Sequence, residues 1–112
     1  MINKISLKKT YNIQTKRIEY LLLNYDFFDG NEYIAKLFAE KYFFTVEKSI
    51  DGLWYKIIRL RLNTCVYELL WHEDIGNVIY SISQTDNDND LLQQRLESII
   101  STLNSIIEEA KN

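Results

Sequence analysis

Cys65 and His72 are the only cysteine and the only histidine of this 112-residue chain, and together they could form a nucleophile with its base. A thiol is activated only when a base stands within hydrogen-bond reach. The two are seven positions apart in one predicted strand, and an odd spacing sends strand side chains to opposite faces. They are not expected to meet, and Cys65 reads as a small core residue. One cysteine excludes an intramolecular disulfide, and one histidine excludes a multi-histidine metal site.

His72-Glu73-Asp74, at the end of that strand, could supply a general acid or base. No second histidine, adjacent nucleophile or glycine-rich oxyanion segment accompanies it. The plainer reading is a hairpin end with the imidazole near Tyr55. An enzyme using His72 with Glu73 or Asp74 is therefore a rival reading, and no catalytic residue is assigned.

Asp86-Asn87-Asp88-Asn89-Asp90 resembles the start of a calcium-binding loop, with Glu97 where the last ligand would fall. The glycine that such a loop needs at its sixth position is Leu91 here, and Gln93 stands where an apolar residue is usual. Asp and Asn ahead of a helix instead cap its free N–H groups and favour the positive end of its dipole. Neither a metal nor a cofactor is expected.

These residues need elements to hold them. The chain is 46% hydrophobic and 26% charged, an ordinary globular balance for one α+β domain over residues 1–112. Glycine occurs only at 30, 52 and 76 and proline is absent, so glycine-rich phosphate loops are excluded. The first dozen residues are ambiguous. From about Gln14, Ile18, Leu21, Leu22 and Tyr25 fall on one helical stripe. Asp29 reads as the N-cap of a second helix, with Glu32 completing a capping box and Ile34, Leu37 and Phe38 inward.

Four strands follow: Phe43–Ser49, Leu53–Leu62, Cys65–Glu73 and Val78–Gln84. Asp51-Gly52 suggests a two-residue hairpin turn, Asn63-Thr64 another, and Asp74–Asn77 a four-residue loop. These turns set Glu47 opposite Lys56, Phe43 opposite Leu60, Arg59 opposite Glu68, Leu60 opposite Tyr67 and Trp71 opposite Tyr80. One face then carries Phe43, Ile58, Leu60, Leu62, Cys65, Tyr67, Leu69, Trp71, Val78, Tyr80 and Ile82. The other mixes Phe44, Val46, Tyr55, Ile57, Leu70 and Ile79 with Arg59, Arg61, Glu68 and His72. That mixed face calls either for an N-terminal helix or for a partner. Leu92, Leu96, Ile99, Leu103, Ile106 and Ala110 predict one long amphipathic helix from about Asp90. The expected fold is a four-stranded antiparallel β-meander preceded by one or two helices and followed by that helix.

Net charge is −3, but residues 1–62 carry +4 and residues 63–112 carry −7. The acidic half argues against nucleic acid as the main partner. Lys4, Lys8, Lys9, Lys16 and Arg17 keep it as a rival. The start of the chain has no apolar signal core and no stretch is long enough to span a membrane, so a cytoplasmic protein without membrane contact is expected. Abundant Ile, Asn, Lys and Tyr suggest AT-rich coding, hence a bacterial or phage source. The functional expectation is a small acidic inhibitor or immunity-type protein that neutralises a toxin or nuclease by direct binding. Acids would steer it onto a basic cleft and aromatics would anchor it. The expected contact residues are Glu73, Asp74, Asp86, Asp88, Asp90, Tyr55 and His72. The hairpin pairing divides the acids between opposite ends of the sheet. A dimeric secretion-type chaperone is the alternative.

Overall fold

The structure, a computed structural model, describes residues 4–26 and 29–110. The chain opens with a β-hairpin, not a helix. β1 (Ser6–Asn12) pairs antiparallel with β2 (Arg17–Leu23), and the reversal between them is built by Asn12. Its side-chain oxygen accepts the N–H groups of Gln14 and Thr15, and Lys16 takes a left-handed φ of 57°. Ile18, Tyr20 and Leu22 alternate inward with period two. The apolar run Ile18–Leu23 satisfies helical and strand spacing alike, and long-range pairing decides between them.

Helix α1 (Gly30–Tyr42) follows. The expected capping box is not formed. Asp29 makes no side-chain cap bond, and Glu32 instead pairs with the buried Lys56 at 2.9 Å. Phe43 ends the helix at a left-handed φ of 63°, and its N–H bonds Ala39 O at 3.1 Å. This turn sends Phe43 into solvent and Phe44 into the core, the reverse of the predicted faces.

Four further strands are β3 (Thr45–Asp51), β4 (Tyr55–Leu62), β5 (Cys65–His72) and β6 (Gly76–Ser81). β2 joins β6, so the sheet has six antiparallel strands in the order β1-β2-β6-β5-β4-β3, where four were expected. The β4–β5 register matches the prediction, including Arg59 opposite Glu68 and Lys56 opposite Trp71. The two flanking registers do not. A bulge between Val46 and Lys48 and a longer turn set Asp51, not Glu47, opposite Lys56. Gly52 lies in that turn without positive φ, so the predicted tight turn is absent.

The β5–β6 connection is only Glu73–Ile75, closed by Gly76 at φ 98°, so His72 faces Gly76 and Glu68 faces Tyr80. This odd shift exchanges the faces of β6. Ile79 enters the core, while Val78 and Tyr80 move to the opposite side.

Helix α2 runs Asp86–Ala110, four residues longer at its start than predicted. Leu92, Leu96, Ile99, Ile100 and Leu103 are buried, and the stripe continues through Ile107 while Ile106 remains exposed. Both helices cover the same sheet face. Phe38 of α1 and Arg95 of α2 both reach Tyr67, and Lys41 Nζ donates to Ser98 Oγ across the two helices. Asn104 holds the start of the chain, accepting the Ile5 N–H at 2.9 Å and donating to Ile5 O at 3.0 Å. Among the described residues no helix is long and apolar enough to cross a membrane.

Candidate functional site

At one end of the sheet the β3–β4 and β5–β6 loops lie side by side. Gly52 N–H bonds Tyr55 O at 2.8 Å and closes the first loop. Glu73 N–H bonds Trp54 O at 3.0 Å and ties the second loop to it. Tyr55 and His72 are cross-strand partners at the base. The Tyr55 ring lies over Gly52, where an added Cβ would stand 2.2 Å from it, so the glycine makes room for the aromatic. His72 Nδ1 accepts the Asp74 N–H at 3.1 Å, which holds the imidazole against its own loop.

This tip presents apolar groups to solvent. Leu53 is 82% exposed, Trp54 56% and Ile75 55%. Trp54, His72, Glu73 and Asp74 line a shallow depression of about 250 Å³. Behind it, Asn77 Nδ2 donates to Tyr25 O at 2.8 Å, Trp71 Nε1 donates to Asp26 O at 3.1 Å, and the Tyr25 hydroxyl donates to Gly30 O at 3.0 Å. Burial, with Asp29 nearby, pushes that hydroxyl up to about 12. A bonded frame thus supports a pair of short loops carrying exposed apolar groups and two carboxylates.

Of the seven expected contact residues, Tyr55, His72, Glu73 and Asp74 come together here. Asp86, Asp88 and Asp90 do not. They occupy the first turns of α2, which begins near the opposite end of β6. Thr85 caps that helix, its Oγ1 accepting the Asp88 N–H at 3.2 Å, so the acids are helical and form no cation loop. Among the described residues no group of three or more His, Cys, Asp or Glu could hold a metal ion. Leu53, Trp54 and Ile75 were missed in the sequence. The available signal was large apolar side chains beside Gly52 and Gly76, where turn chemistry favours small polar ones.

Compared with family models, curated proteins and solved structures, this chain matches none.

Cys65 and His72 lie at opposite ends of β5 and on opposite faces. Cys65 packs against the core, with Arg95 Nη1 3.8 Å from its sulfur. Neither α1 nor α2 covers the other, mixed face of the sheet. Its centre is a line of joined charges and rings. The Arg17 guanidinium lies 3.6 Å from the centre of the Tyr80 ring and 2.6 Å from Glu19. Tyr80 donates to Glu68 at 2.6 Å, and Glu68 accepts from Arg59 at 2.7 Å. Arg17 covers the Tyr80 ring, which is buried on this face. Arg17 is thereby held by Glu19 and Tyr80.

Proposed function

We propose that the chain is a non-enzymatic protein-binding module of the inhibitor or immunity type, and that the loop tip contacts a basic toxin, nuclease or other effector. The observation that carries this reading is the exposure of Leu53 and Trp54 beside Glu73 and Asp74 on loops bonded to each other. Exposed aromatics on a rigid support are the groups that dominate binding energy when buried by a partner. Carboxylates at the rim steer a basic partner and raise the association rate. The tip matches this division of labour: Leu53, Trp54 and Ile75 as the buried contact, Tyr55 and His72 as its base, Glu73 and Asp74 as the steering rim. His72 Nδ1 is engaged by the loop amide, which suits a structural role better than proton transfer.

The test is kinetic. With a captured partner, Trp54→Ala is expected to weaken binding by about 2 kcal/mol, roughly 30-fold, mainly through faster dissociation. Glu73→Gln with Asp74→Asn is expected to slow association at low salt and leave dissociation little changed. Equal affinities for all three proteins would remove the tip from the interface.

A further inference from the structure

β3 ends the sheet, pairing with β4 on one side only. All seven of its residues are exposed. Its outward N–H and C=O groups meet no further strand among the described residues. Exposed apolar side chains gather along this edge, with Phe43 at its start and Val46 and Ile50 on the strand. Beside it α1 leaves a groove of about 300 Å³, walled by Ala35, Ala39, Val46 and Ile58. The two alanines, one helical turn apart, are what keep the groove open.

We propose that this edge takes one extended segment of a partner polypeptide as a seventh strand, its apolar side chains in the α1 groove and a carboxylate across from Lys48. This surface is separate from the loop tip and stands whether or not the tip binds. A row of main-chain donors and acceptors at strand spacing is matched by another extended chain, and alternate pockets then select its side chains. The alternation here is defined. Val46 and Ser49 face the groove, while Lys48 and Ile50 face the helix-free side, beside Arg59 and Ile57. Arg59 already pairs with Glu68, and Lys48 has no carboxylate partner among the described residues. An acid on the incoming strand supplies one.

A second copy of this chain fits the edge poorly. A two-fold antiparallel pairing centres on one residue. Lys48 then meets only a residue of even number, Val46, Lys48, Ile50 or Gly52, and none of these supplies a carboxylate. Centred on Lys48 the pairing sets lysine against lysine, and centred on Ser49 it sets Glu47 against Asp51, which is unfavourable. The bulge at Glu47 leaves Lys48–Asp51 as the regular stretch on which a short segment docks.

The probe is a blocked peptide alternating valine and threonine with one central glutamate, added to the intact protein while amide exchange is followed at residues 45–51. Slowed exchange there is expected, and loss of that slowing when alternate peptide N–H groups on the docking edge are methylated. Lys48→Glu should weaken this peptide about tenfold and favour its lysine counterpart, and Ala39→Leu should weaken both by filling the groove. Exchange unchanged at millimolar peptide overturns the proposal, as does equal protection by the methylated peptide. Protection that rises with the protein's own concentration, without peptide, assigns the edge to a second copy and overturns it too.

Discussion

Tyr20, Tyr25, Tyr67 and Tyr80 bury their rings and give each hydroxyl a partner: Asn89 O, Gly30 O, the Arg95 guanidinium and the Glu68 carboxylate. Burial is the main reason that all four hydroxyls ionise above their usual range, Tyr25 at about 12. The sign follows directly. Folding holds the protonated form, so this stabilisation is complete below the unfolded value of about 10 and is lost as pH rises through the folded values. Stability to urea is expected to fall above about pH 10, and Tyr25→Phe to make that fall shallower. Ultraviolet titration should show these four of the eight tyrosines ionising late. Ionisation of all eight in a single step near the ordinary value would contradict it. Asn31 is the corresponding polar contact inside the core. Its Nδ2 donates to Lys56 O at 3.1 Å and lies 3.4 Å from Leu69 O, joining α1 to β4 and β5. Asn31→Ala is expected to cost about 1–3 kcal/mol in denaturant unfolding.

At the scale of elements, what could be read from the sequence depended on whether a local signal had a competitor. The β4–β5 pairing was readable because Asn63-Thr64 marks the turn and Arg59 faces Glu68 only in that register. β6 was not, because all six of its residues are buried and no alternation tells its faces apart. A three-residue connection in place of four was enough to turn it over. The first hairpin was hidden in an apolar run with two valid periods. Its turn offers a check, since Lys16 holds a conformation that suits glycine better. Lys16→Gly is expected to leave stability unchanged or raise it by up to about 1 kcal/mol, and a clear loss in urea unfolding would contradict that geometry. The α2 stripe was readable from Leu92 to Leu103, but its end runs through Ile107 and leaves the expected Ile106 exposed. Ile99→Ala there should cost about 2–5 kcal/mol.

For the whole molecule, the arrangement divides the acids. Tyr55 and His72 pair across β4 and β5, as the sequence register implies, and Glu73 and Asp74 follow in the adjoining loop, so these four share one tip. Asp86, Asp88 and Asp90 belong to the far end, where they favour the start of α2. Sequence pattern places Leu53 and Trp54 in a strand, and the longer β3–β4 turn sets them free of the sheet. The tip and the β3 edge both bring exposed apolar groups together with polar ones. The tip is the proposed contact. It is tested by capture from the source lysate with three proteins compared side by side: wild type, a Trp54→Ala/Glu73→Gln/Asp74→Asn variant, and an Asp86→Asn/Asp88→Asn/Asp90→Asn variant. One stoichiometric basic partner, held by the wild type and the second variant and lost by the first, is expected. Retention by the tip variant, or loss only with the Asp86/Asp88/Asp90 variant, would contradict it.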